Sequence, residues 1–138
     1  MSPKSILILC TGNSARSQMA EGILRQEAKG RLEVHSAGTK PSIVRPEAIA
    51  VLREIGIDIS GHRSKSVDQF AGTALDLVIT VCDNAEESCP VFPVATQRLH
   101  WPFEDPTAVE GSEEERMAAF RKVRDQIRRK ILLYLGEG

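Results

Sequence analysis

Three short runs, apolar or alternating and each closed by small or turn-forming residues, constrain this chain more than any other feature. Ser5-Ile-Leu-Ile-Leu9 ends at Cys10 and Gly12, Leu32-Glu-Val-His-Ser-Ala37 ends at Gly38, and Leu75 to Val81 ends at Cys82. Runs this short suit strands, and the continuous ones suit strands buried on both faces, as in a parallel sheet. Between them lie helical patterns. Met19, Ile23 and Leu24 recur at helical spacing from Ala15 to about Ala28, with Gly30 as the stop. Pro46 opens a second helix carrying Ile49, Leu52 and Ile55, which Gly56 caps.

Val67 and Phe70 suggest a further short helix, and Asp83 to Cys89 a helical turn before Pro90 and Pro93. Arg98 to Trp101 reads as a weaker fourth strand. Ser112 with Glu115 forms a capping-box signature before the longest helix, which turns Met117, Phe120, Val123, Ile127 and Ile131 inward. The alternation predicts an α/β fold: a four-stranded parallel sheet with helices on both faces. With no repeat, linker or low-complexity tract, residues 1–138 read as a single domain.

Composition narrows the partners. A net charge of -1 gives no global field to attract nucleic acid or anionic lipid. The basic stretch from Arg121 to Lys130 shares its helix with an apolar stripe, so it reads as a solvated face. No apolar run is long enough for a membrane span or a secretory signal, so a cytoplasmic location is expected. Without exposed apolar periodicity, a monomer is expected. Three cysteines in such a chain point to reactive thiols rather than a disulfide framework.

The strongest chemical signal is Cys10-Thr11-Gly12-Asn13-Ser14-Ala15-Arg16-Ser17, between the first strand and the first helix. Successive backbone N–H groups in such a loop form an anion-binding nest, backed by the helix N-terminus. Arg16 adds a planar fork that matches two oxygens of a tetrahedral oxyanion. This positive setting favours a Cys10 thiolate nucleophile, and Ser17 can donate to the sulfur. Cys82 ends the third strand as Cys10 ends the first, so both face one crevice at the same sheet edge. If those strands are neighbours, about 4.8 Å separates them, within the Cα spacing that a disulfide needs. Cys89, seven residues past Cys82, lies among turn formers with no core pattern, where a thiol can swing.

The loop, together with Asp105-Pro106 near the far end, resembles the family with the low-molecular-weight protein tyrosine phosphatase fold. The resemblance covers nearly the whole chain and implies that Asp105 is the general acid. Cys10, Cys82 and Cys89 with that loop look more specifically like the thioredoxin-coupled arsenate reductases. That resemblance implies arsenate as substrate, with phosphate or sulfate as mimics. It also implies a relay in which Cys10 attacks arsenic, a Cys10–Cys82 disulfide forms, and Cys89 carries the bridge outward to reduced thioredoxin. No tightly bound cofactor is implied.

A potassium ion beside the loop is also implied, held by residues matching Asn13, Glu21 and Ser36. A further carboxylate ligand of the family falls at Lys65, whose ammonium is expected to take the ion's place. Alternatives stay open. One is a tyrosine phosphatase using Cys10, Arg16 and Asp105, against which stand an aromatic content of 4% and Thr107 where phosphatases usually have an aromatic. Others are an arsenate reductase drawing on glutathione and glutaredoxin, a non-catalytic thiol sensor, and a zinc site using His100. Glu21 has a competing reading as a surface acid of the first helix, and His35 and His62 read as structural.

Overall fold

The computed structural model describes residues 4–81 and 95–136. Four strands, β1 (Lys4–Cys10), β2 (Leu32–Gly38), β3 (Leu75–Thr80) and β4 (Ala95–His100), form one sheet in the order β2-β1-β3-β4. Every neighbouring pair is parallel. Three α-helices are described: α1 (Arg16–Ala28), α2 (Pro46–Arg53) and α3 (Glu113–Leu135), with 3-10 helices at Val67–Phe70 and Pro106–Ala108.

Alternation along β1 explains the layering. Ile6 and Ile8 point into a core shared with Met19 and Ile23 of α1, Leu52 of α2, and Phe120 and Ile127 of α3. Leu7 and Leu9 point the other way, against Val78, Val67 and Phe70. Each of the four β1 residues is no more than 1% exposed, and burial of such a side chain contributes about 1.5–3 kcal/mol. Both faces of the sheet are thus covered, unequally: three α-helices on one, and the Val67–Phe70 turn on the other among the described residues.

Several boundaries differ from expectation. β4 begins at Ala95 and ends before Trp101, because a strand pairing with β3 on one side need not be apolar throughout. In α2 the fully buried residues are Ala48, Val51 and Leu52, whereas Ile49 is partly covered, and Ile55, also partly covered, lies beyond the helix end at Arg53. The basic face of α3 is not wholly solvated. Arg124 is buried, donating to Val51 O and the Glu54 carboxylate, which fastens α3 to the end of α2. The Ser112–Glu115 capping box forms as expected. The stretch Asp83 to Cys89, and with it Cys82 and Cys89, lies outside the described residues.

β1 occupies an interior position, with β2 on one side and β3 on the other. Chain order leads from β1 to β2 on one side and from β3 to β4 on the other, making the C-terminal edge of β1, where these connections diverge, a topological switch point where α/β sheets bind ligands. Cys10 is the last residue of that strand.

Candidate active site

The loop after β1 is shaped by where its carbonyls go. Cys10 O accepts from Thr39 N, Thr11 O from Lys40 N, Gly12 O from Ser42 N and Ser64 Oγ, and Ser14 O from Arg45 N. Because a trans peptide sets N–H opposite C=O, outward carbonyls turn the following amides toward the inner side. Asn13 N–H demonstrates it, donating to Cys10 Sγ at 3.3 Å. Asn13 itself takes φ 47°, a left-handed conformation that asparagine tolerates. Gly38 packs behind the loop so closely that a Cβ there would lie 2.5 Å from Thr11 O. The N-terminus of α1 has no side-chain cap and opens onto the same space.

Cys10 is 6% exposed, and Ser17 Oγ lies 3.0 Å from its sulfur. Behind them runs a directed hydrogen-bond chain. Asn13 Oδ1 accepts from Lys65 N at 2.8 Å and Gln18 Nε2 at 2.9 Å, which fixes the amide orientation. Its Nδ2 then donates to Ser17 Oγ and Ser36 Oγ, at 2.8 and 2.9 Å. The Ser36 hydroxyl in turn donates to Glu21 Oε1. With its oxygen accepting from Asn13, the Ser17 hydroxyl is left to donate to sulfur. Donors aimed at sulfur favour the thiolate.

Glu21 is not the surface acid of the competing reading; it is 4% exposed. Its Oε2 pairs with Arg25 at 2.7 Å, and its Oε1 faces Lys65 Nζ at 3.8 Å. His62 sits beside it, and burial pushes the imidazole below its ordinary value of 6.5 against the pull of Glu21. A neutral ring with its proton on Nδ1 fits both neighbours, donating to Gln18 Oε1 and accepting from Arg25 at Nε2. A potassium ion does not fit this set. Asn13 Oδ1 and both Glu21 oxygens already face protein donors or cations, and Asn13 presents its nitrogen to Ser36.

At the mouth, Arg16 NH1 donates to Phe103 O at 3.0 Å, and NH2 lies 3.5 Å from Asp105 Oδ2. Arg16 is therefore shared between the loop and the segment that presents Asp105. Thr107 holds the other carboxylate oxygen through its backbone N–H and its hydroxyl.

Residues 5–136 match the family profile of low molecular weight phosphotyrosine protein phosphatases. The chain belongs to this family. Within the low molecular weight phosphatase family it is similar to an arsenate reductase of Halalkalibacterium halodurans, 44% identical over 100% of this chain and 99% of the relative. A solved arsenate reductase in its phosphate-binding state superposes with a TM-score of 0.83 at 33% identity, covering 97% of this chain and 98% of the other. A low molecular weight protein tyrosine phosphatase from T. tengcongensis gives 0.78 at 27% identity, covering 98% and 99%.

The described structure thus gathers Cys10 to Ser17 with Asp105, and places Glu21, Ser36 and Lys65 one layer behind. Sequence reading missed Gln18 and Arg25 as members of that deeper layer and Thr107 as a partner of Asp105. Gln18 and Arg25 share a helix face with Glu21, the one signal that pointed to them.

Proposed function

We propose that this protein reduces arsenate to arsenite with three thiols used in order. The observation that carries the reading is the Cys10 sulfur, which accepts from Asn13 N–H and lies against the Ser17 hydroxyl at the mouth of an Arg16-bearing loop. Full-length similarity to arsenate reductases supports arsenate as the oxyanion. Cys10 thiolate bonds to arsenic while one arsenate hydroxyl leaves as water, taking a proton from Asp105. Cys82 thiolate then attacks Cys10 Sγ. The S–As electron pair passes to arsenic, which departs as arsenite, leaving a Cys10–Cys82 disulfide. Cys89 thiolate attacks Cys82 and frees Cys10. Reduced thioredoxin returns two electrons to the Cys82–Cys89 bridge.

In this reading the oxyanion is cradled by the backbone of Thr11 to Ser17, and Lys65 supplies the positive charge for which relatives would recruit potassium. Sulfate and phosphate compete for the same cradle, and a reducing compartment such as the cytoplasm keeps the thiols active. The apposition of Arg16 and Asp105 also suits phosphoester hydrolysis, which gives a second reading a footing.

Arsenate-dependent NADPH oxidation with thioredoxin and its reductase tests the relay. Turnover is expected in the wild type and lost in Cys10→Ser, Cys82→Ser and Cys89→Ser. Full activity of Cys89→Ser would move the last step to another thiol, and turnover with glutaredoxin and glutathione alone would replace the donor. If Cys82→Ser hydrolyses a phosphoester while failing to reduce arsenate, the two chemistries share only Cys10, Arg16 and Asp105.

A further inference from the structure

Both donors of Thr107 converge on one atom. Its backbone N–H reaches Asp105 Oδ1 at 2.9 Å and its hydroxyl reaches the same oxygen at 2.6 Å. The backbone bond is the ordinary cap of the 3-10 helix Pro106–Ala108 and would form with any residue at that place. The hydroxyl bond is additional. Asp105 Oδ2 has a different setting, 3.5 Å from Arg16 NH2 on the side of the oxyanion loop. The two oxygens of one carboxyl group are therefore inequivalent.

We propose that Thr107 is a positioning residue for proton delivery, tying off Asp105 Oδ1 so that the proton of the carboxyl group sits on Oδ2. The proposal rests on the arsenate chemistry above and adds to it the atom that carries the proton. An oxygen accepting from an N–H and an O–H has its in-plane lone pairs engaged, and a proton placed there would oppose two donors. Oδ2 faces the loop. An oxyanion drawn into the loop takes the Arg16 fork onto its own oxygens, leaving Oδ2 directed at the departing one. There the S–As bond forms and one As–O bond breaks. The leaving oxygen, already an arsenate hydroxyl, keeps that electron pair, takes the Oδ2 proton and departs as water, and Asp105 is reprotonated from solvent.

The arrangement also explains what threonine does where an aromatic would serve an aryl substrate. The side chain is turned back onto the acid and holds it, rather than building a wall for a ring.

Wild type, Asp105→Asn, Thr107→Val and Thr107→Ser, each fully reduced, would be mixed with arsenate without an external reductant, and loss of thiols followed over a single turnover. Asp105→Asn is expected to lower the saturating rate by about 100-fold, the scale of general-acid assistance. Thr107→Val should lower it by roughly 5-fold with an unchanged half-saturating arsenate concentration, and Thr107→Ser should restore it to within about 2-fold, since only the hydroxyl matters. Melting curves ensure that rates are compared well below unfolding.

A Thr107→Val rate equal to wild type, beside a slow Asp105→Asn, overturns the role of Thr107 alone. Equal losses in the valine and serine variants do so too, since they mark a merely structural contact. An Asp105→Asn variant as fast as wild type overturns the assignment of Asp105 itself.

Discussion

Ser17 Oγ lies 3.0 Å from Cys10 Sγ, and the direction of its proton is decided three residues away in the hydrogen-bond chain. Glu21 accepts from the Ser36 hydroxyl, Ser36 accepts from Asn13, and Asn13 donates in turn to Ser17. A buried carboxylate thereby sets the polarity of every link up to the sulfur.

Replacing Ser17 by alanine removes that donor. A charge-assisted hydrogen bond is worth about 1.5–3 kcal/mol, so the alkylation midpoint of Cys10 should rise by roughly 1–2 pH units. Iodoacetamide labelling against pH in a Cys82→Ser/Cys89→Ser background measures it; an unchanged midpoint would remove Ser17 from thiolate stabilisation.

Exchange of sodium for potassium at constant ionic strength should leave the melting temperature unchanged within about 1 °C, since the Glu21 oxygens already face Arg25 and Lys65. Lys65→Asp should melt lower in sodium and recover in part in potassium. A potassium-specific rise in the wild type would contradict substitution of the ion by the ammonium.

Gly38→Ala would place a methyl group 2.5 Å from Thr11 O and 2.9 Å from Asn13 N, both backbone atoms that cannot swing aside. Overpacking of this kind costs about 1–3 kcal/mol. Because the strain falls on the oxyanion loop, phosphate affinity measured by calorimetry should fall more steeply than stability suggests.

Acid sensitivity should be centred on a place far from the loop. Hydrogen bonds and charge from Arg121, with Arg124 behind it, hold Glu54 down at about 2 from an ordinary 4.5. A depressed carboxylate stabilises the fold above its unfolded value and loses that contribution as pH falls through its folded value. Urea midpoints should therefore drop between about pH 4.5 and pH 2, and Glu54→Gln should flatten that slope. An identical slope in the variant would place the acid-labile link elsewhere.

Local pattern made β1, the loop, α1 and the Ser112–Glu115 cap legible in the sequence, because each is decided by residues a few positions apart. The layer behind the loop was only partly so. Glu21 has the character of a solvated helix acid until α1 meets His62 and Lys65, which lie more than forty positions along the chain. Arg124 misled for the same reason: its aliphatic neighbours and Glu54 become a burial site only once α2 and α3 are packed. The start of β4 was illegible because Ala95, Thr96 and Gln97 carry no apolar pattern, and their place is set by pairing with β3. Asp105 stands out only through the family resemblance that Asp-Pro carries, and its hold by Thr107 depends on rotamers that spacing does not encode.

The inner position of β1 gives its reactive end two unlike flanks. On the β2 flank, Thr39, Lys40 and Ser42 grip the loop carbonyls and Gly38 packs behind them, so that side is an anvil with little room for adjustment. On the β3 flank, Val81 N–H bonds to Leu9 O, and Cys82 is the next residue in the sequence. A fold so divided can keep its anion cradle stiff on one border while a neighbouring border is recruited for new chemistry, without redesigning the cradle itself.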